Sequence, residues 1–235
     1  MVSTIQLTMS SITIRGLTMT LDELIDAYRL IADDTVEPYL WSNAEIELYI
    51  NEAQVEAATR ARLLVEDGNA TYCSIPTVIG TSTYAIHTLV LEIKYLYLDN
   101  VLLSKTTIEE LNDEDTEWRT NTELTTQWYQ SGQTVSIVPT PTEIGAITMV
   151  VVRQPITIVD TLDIPERYHM KMLDWALALG FRKRDTDTAG TPDQPPNMIA
   201  SQFESRFEKT FGPATDARVQ HNELSYRTST NTSWV

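Results

Sequence analysis

Between Leu21 and Leu64 the apolar residues recur at steps of three and four, the period of amphipathic helices. Leu21, Leu24, Ile25, Tyr28 and Ile31 form a first stripe, which predicts a helix from Leu21 to Asp33. Thr20 and Glu23 flank its start as a capping box, in which each side chain satisfies a backbone donor left free by the first turn. Pro38 interrupts the pattern, and Tyr39, Leu40 and Trp41 are expected to pack beneath the loop that holds it. Ser42 and Glu45 make a second capping box. Ile46, Ile50, Ala53, Ala57, Ala61 and Leu64 then predict a second helix ending near Glu66. Its alanines allow another backbone to come close. Glu45, Glu47, Glu52, Glu56, Arg60 and Arg62 are expected on its outward face, with Glu52–Glu56 a repulsive spacing and Glu56–Arg60 an attractive one.

After the turn signal Asp67-Gly68-Asn69 the period changes to that of strands, from Thr71 to about Asp160. TYCSI, STYAI, LEIKYLYLD and VLLSK are short and rich in aromatic and β-branched residues, and Asp99-Asn100 reads as a tight hairpin turn. Thr107 and Glu110 cap a short helix ending near Asp113. WYQ, a turn at Gly132, TVSIVP and AITMVVVRQP complete the region. Its short connections predict an antiparallel meander.

Helical periodicity then returns. Tyr168, Met172, Trp175, Ala176 and Leu179 mark a helix over Glu166–Arg184, with Pro165 at its mouth. Ile199, Phe203, Phe207 and Phe211 mark another over Asn197–Thr210, stopped by Gly212-Pro213. The order predicts an α+β fold: a four-helix bundle formed by N- and C-terminal helix pairs, residues 20–68 and 165–213, with an inserted antiparallel β domain at 69–164. Residues 1–19 alternate apolar and polar side chains, with a slip at Ser10-Ser11, and read as an arm or strand. Residues 214–235 read as an extended polar tail whose only aromatics are Tyr226 and Trp234. Closing a ninety-residue excursion costs little extra entropy, because that cost grows only slowly with length.

Charge narrows the function classes. The formal net charge is −16, from 17 basic and 33 acidic residues, which disfavours a grip on phosphate backbones. The excess is uneven: residues 1–100 hold 5 basic and 14 acidic side chains, residues 101–165 hold 3 and 10, and residues 166–235 hold 9 and 9. The single cysteine, Cys73, excludes an internal disulfide framework and reads as an inert thiol packed in a strand. No apolar run reaches about 18 residues, so no membrane span is expected, and the first twenty residues lack a basic start and a continuous apolar stretch.

Candidate chemistry is sparse. His87, His169 and His221 lie far apart and at no metal-ligand spacing. Asp185, Asp187 and Gly190 resemble part of a calcium loop, but Ala189 and Pro196 stand where oxygen ligands are needed. Glu109, Glu110, Asp113, Glu114, Asp115 and Glu117 read as a solvated acidic face. Arg182, Lys183 and Arg184 close the third helix, either as cations favoured by its dipole or as contacts for an acidic partner or DNA. Asn69 and Asn231 match glycosylation motifs without other signs of secretion. No Gly-rich phosphate loop, Gly-x-Ser-x-Gly elbow or His-Glu-x-x-His occurs, so no enzyme, cofactor or metal is predicted.

Three segments carry a resemblance: LDELIDAYRLIADDT, EPYLWSNAEIELYINEAQVEAATRARLL and PERYHMKMLDWALALGFRKRDTDT. With TIEELNDEDTEW and FESRFEKTFGP in the same order, the chain resembles bacteriophage head-to-tail adaptors, and among them the tail-tubular-protein-A-like adaptors of short-tailed phages. The resemblance runs from about Leu17 to Pro213; residues 1–16 and the tail from Asp216 match nothing in it. It implies a non-enzymatic virion protein at the head–tail junction, forming a ring of about twelve copies. The ring docks beneath the portal protein, carries the tail nozzle protein and lets double-stranded DNA pass through its lumen without specific binding. Two expectations follow. Part of the acid excess lines the bore and repels DNA phosphates, or else serves solubility. The tail orders against the portal with Tyr226 and Trp234 as anchors, as aromatics often are. The competing readings are a connector or completion protein of a long-tailed phage neck, which predicts a mostly helical fold, and a hydrolase or nuclease, which requires acids converging on a metal.

Overall fold

The computed structural model describes residues 19–122, 124–158, 160–187 and 198–214, apart from the side chains of 185–187. The chain begins with helices α1 (Leu21–Ala32) and α2 (Asn43–Ala61), followed by β1 (Val65–Glu66), a one-turn helix α3 (Ala70–Cys73), β2 (Ser74–Pro76) and β3 (Thr83–Ala85). Next come β4 (Val90–Leu98), β5 (Val101–Leu102), β6 (Ser104–Lys105), helix α4 (Ile108–Glu114), β7 (Gln127–Ser131), β8 (Thr134–Val138) and β9 (Ala146–Arg153). A 3-10 turn, Glu166–Tyr168, then leads into α5 (His169–Asp187), and α6 (Met198–Phe211) follows. The fold is mixed α+β.

The three capping boxes form as expected. Thr20, Ser42 and Thr107 each accept from the backbone three residues on, and Glu23, Glu45 and Glu110 each accept from the cap residue's N–H. Helices α1, α2, α5 and α6 share one core that includes Leu24, Tyr28, Ile46, Ile50, Met172, Leu173 and Phe207. Helix α5 is buried all round from Met172 to Ala178, and α1, α2 and α6 all pack on it. Ring contacts Tyr168–Phe211, Trp175–Phe207 and Phe181–Phe203 set α6 antiparallel to α5. Each such fully buried apolar side chain contributes about 1.5–3 kcal/mol before entropy is subtracted. Gly180 is required where α5 passes α1, because a Cβ there would collide with the Tyr28 hydroxyl and come within 3.3 Å of the Trp41 ring.

Several expectations are corrected. Helix α2 stops at Ala61, not near Glu66. Arg62 turns into the left-handed region (φ 50°), its N–H caps Ala58, and the chain runs on into β1. Ile31 is 42% exposed; the α1 stripe continues instead through buried Arg29. Of the three loop residues only Trp41 is buried, while Tyr39 and Leu40 are exposed. Arg60 does not point outward: its side chain is 6% exposed, salt-bridged to Glu56 at 2.7 Å, with its guanidinium 4.5 Å from the Trp175 ring centroid. Ile199 is exposed. Cys73 closes the helical turn α3 and is not in a strand.

The strands are not a simple meander. One sheet runs β1-β9-β4-β5, with β2 also on β9, and a second runs β3-β8-β7-β6. The hairpin at Asp99-Asn100 is present, both residues at positive φ, and Gly132 turns β7 into β8 at φ 57°. All strand pairs are antiparallel except β6–β7, which is parallel. Helix α4 and its flanking loop supply the crossover that a parallel pair requires. In β4 the buried positions Val90, Ile93 and Leu96 are three apart. Register shifts at Val90/Glu92 and Ile93/Tyr95 absorb the extra residues as bulges would. These side chains pack with Trp128, Val135, Ile137 and Ile147 in a second core.

The segment after β9 returns against the helices. Ile158, Leu162 and Ile164 join the helical core, and the Leu21 N–H donates to the Asp160 carbonyl at 3.0 Å. The buried Gln54 amide donates to the Ile156 carbonyl at 3.1 Å and accepts from the Asp163 N–H at 2.8 Å. Asn51 accepts from the Ile158 N–H at 2.8 Å.

Candidate assembly surfaces

The cationic end of α5 is tied down by its neighbours. Arg182 pairs with Glu204 of α6, Lys183 pairs with Glu45 of α2, and the Arg184 guanidinium lies 4.5 Å from the Phe181 ring centroid. Arg182 and Lys183 nonetheless keep 42% and 51% of their side chains exposed, so both remain reachable from outside. The bond from Lys183, with those from the Ser42 N–H and hydroxyl, lowers the Glu45 carboxyl to about 2. Tyr226 and Trp234, the other residues singled out from the sequence as partner contacts, lie outside the described residues. So do His221, Asn231, Gly190, Pro196 and the N-terminal arm up to residue 18.

A second ion-pair group joins the two cores. Arg153 at the end of β9 makes a forked contact with Asp163 (2.5 and 3.1 Å) and a further bond to Glu66 of β1 (3.2 Å). Burial pushes the Asp163 carboxyl up. Hydrogen bonds from Arg153 and the Ile156 N–H, with the charge of Arg153, more than offset this and leave it below its ordinary value. The bond to Asp163 likewise raises Arg153. Arg62, just past α2, reaches Glu92 of β4 at 2.7 Å. Forked guanidinium–carboxylate contacts such as Arg153–Asp163 are directional, and together these pairs tie the sheets to the helical region.

The far end of the sheets presents an aliphatic tip that periodicity did not reveal. Val78, Ile79, Val101, Leu102 and Ile144 are each more than half exposed. Their loops are laced together. Thr77 N–H donates to Gly145 O (2.9 Å), Gly145 N–H to Thr77 Oγ1 (2.6 Å), Gly80 N–H to Pro141 O (3.0 Å) and Ala146 N–H to Asp99 Oδ1 (2.8 Å). The available signal was the placing of these aliphatics beside Gly80, Asn100 and Gly145, residues that mark turns and hence surface.

The remaining candidates have local roles. His169 is buried with Nε2 3.0 Å from the Ile164 carbonyl. His87 stacks edge-on with Tyr72 and accepts from the Leu89 N–H. Cys73 is buried, and burial pushes its thiol up. In the acidic run, Glu110 caps α4 and Asp115 accepts from the Glu117 N–H and the Asn121 amide. Among the described residues no His, Cys, Asp or Glu group is arranged to hold a metal ion, and no helix is long and apolar enough to cross a membrane.

A family model described as SU10 adaptor protein matches residues 19–231. It covers both helix pairs and both sheets, and it extends past Pro213, where the motif resemblance stopped. A comparison with curated proteins gives no match.

Proposed function

The chain belongs to the SU10 adaptor protein family, a family of phage head–tail adaptors, and from that membership we propose how it works in the virion. The protein is a structural component of a bacteriophage particle. Its copies form a ring of about twelve between the portal protein and the tail nozzle protein. A four-helix bundle of residues 20–68 and 165–213, with β1 lent to the sheets and Ile158, Leu162 and Ile164 packed back on the helices, is the body of the ring, and the inserted β domain, 69–164, is the module that stacks on the tail side. DNA passes through the lumen during ejection without specific binding, and the role is non-enzymatic.

The observation that carries this reading is the extent of the family match, which takes in nearly the whole chain. Two further features support it. The helical and sheet cores are separate, joined by the Arg153–Asp163–Glu66 and Arg62–Glu92 pairs, as suits a body with a directed projection. The net charge of −16 suits a channel past which DNA must slide. The long-tailed connector reading is not favoured, because two sheets occupy the middle of the chain.

The polar chain end supplies the portal contact, with Tyr226 and Trp234 as anchors, and Arg182, Lys183 and Arg184 add charge to that contact. Deleting residues 216–235 abolishes portal binding while leaving the unfolding temperature of the rest unchanged. A truncated protein that co-sediments with portal as well as the intact one refutes that assignment.

A further inference from the structure

The helical body is electrically two-sided. Seven exposed carboxylates lie on α1, α2 and the loop between them, Asp26, Glu47 and Glu52 among them; these segments carry no exposed cation of their own among the described residues, and Lys183 of α5 reaches across to Glu45. Both arginines of this stretch are turned inward, Arg29 to Asp34 and Arg60 to Glu56. On the other helix pair, with its leading 3-10 turn, the exposed cations are Arg167, Lys171, Lys183, Arg206 and Lys209, of which Lys183 is paired with Glu45 and Arg206 with Asp174, against two exposed carboxylates among the described residues, Glu166 and Glu208. Each surface also carries apolar side chains with nothing over them. Leu48, Glu52 and Val55 run at four- and three-residue steps down the solvent side of α2, and Leu48 is 63% exposed. Leu30 on α1 is 73% exposed, and Met170 and Met198 on the second pair are 47% and 57% exposed.

A closed ring of one chain requires two unlike surfaces on every copy, each complementary to the other. We propose that the acidic α1–α2 face of one copy docks on the cationic α5–α6 face of the next, with the aliphatic side chains among the charges closing the contact. This rests on the ring reading above and adds the surfaces that build it. Charge complementarity selects the second copy as occupant. It also fixes the polarity of the ring, because placing like faces together costs several kcal/mol at such an interface.

The test exchanges the charges. One variant carries Asp26→Lys, Glu47→Lys and Glu52→Lys, whose carboxylates have no hydrogen bond or ion pair among the described residues. A second carries Arg167→Glu, Lys171→Glu and Lys209→Glu. Assembly is followed by sedimentation, for the free protein and for protein bound to portal-bearing heads, with unfolding temperature as the check on folding. Each variant alone assembles at least about tenfold more weakly than the unmodified protein. An equimolar mixture of the two restores rings, and so does one chain carrying all six changes. For the unmodified protein, assembly weakens as ionic strength rises from about 0.05 to about 0.5 M, where screening shortens to a few ångströms. The proposal is overturned if either variant assembles normally, if folded mixtures fail to recover, or if assembly is indifferent to salt. Intact rings that eject DNA slowly from the first variant would instead assign the acidic face to the bore. An unmodified protein that forms no ring, free or on heads, removes the ring reading itself, which is a separate outcome.

Discussion

Removing the Asp34 carboxylate should weaken the protein more than any nearby surface change, because the charge it balances is buried. Arg29 and Asp34 are 7% and 8% exposed and pair at 2.7 Å. The guanidinium also donates to the Trp41 carbonyl at 3.0 Å and the Asn43 amide oxygen at 2.6 Å, and the Tyr39 ring lies 3.9 Å from it. Asp34 in turn accepts from the Leu40 N–H at 2.8 Å and the Trp41 N–H at 3.4 Å, so it folds the loop between α1 and α2 around the cation. Asp34→Ala strands a buried positive charge and two backbone donors. Breaking one partner of such a pair costs about 3–5 kcal/mol. At about 2–4 °C per kcal/mol for a chain of this size, the midpoint falls by roughly 6–20 °C. Arg29→Met with Asp34→Leu removes both charges together and costs less than Asp34→Ala alone, since no unpaired charge remains. Urea unfolding followed by tryptophan fluorescence reads the difference. A loss below about 1 kcal/mol for Asp34→Ala, or a double variant weaker than the single, refutes the reasoning.

Three further outcomes follow from the packing and the ion pairs. Gly180→Ala forces the Tyr28–Trp41 pair apart and costs about 1–3 kcal/mol; Tyr28→Phe removes a buried hydroxyl without a hydrogen-bond partner, is close to neutral alone and recovers part of that loss, as thermal melts of the unmodified protein, the two single variants and the double variant would show. Glu45 is held at about 2 in the folded chain, below its ordinary 4.5, so the stability it provides is complete above the ordinary value and disappears as pH falls toward 2. Because Glu45 is partly exposed and screened, the difference between the unmodified protein and Glu45→Gln is modest at neutral pH and closes below pH 4.5 in melts run against pH. Burial raises the Cys73 thiol, so alkylation at mildly alkaline pH is much slower in the folded protein than in urea; equal rates would place the thiol at the surface.

What could be read from the sequence was whatever depended on neighbours a few residues apart. The capping boxes at Thr20, Ser42 and Thr107 are three-residue relations, and all three appear as expected. The aromatic line Phe203, Phe207 and Phe211 was visible for the same reason, and all three rings make aromatic contacts in the helical region. Strand order was not legible, because β9 pairs with strands as distant as β1 and each pairing depends on long-range contacts. Arg60 misled for a physical reason. A charged residue is expected outside, yet Arg60 buries its stem and satisfies its guanidinium group against Glu56 and the Trp175 ring. The cations at the end of α5 were legible as a cluster, but their partners were not. Glu45 lies 138 residues from Lys183, and no local rule connects them. The tip at Val78, Ile79 and Ile144 went unnoticed because isolated apolar residues in loops carry no periodic signal.

The place of the chain in the particle is open to direct imaging. A reconstruction of the virion neck should show a closed ring of this chain between portal and nozzle, with the helices forming its wall and the sheets turned toward the tail. Density in which the chain is missing from the neck, or sits there as isolated copies that never touch one another, would contradict the account.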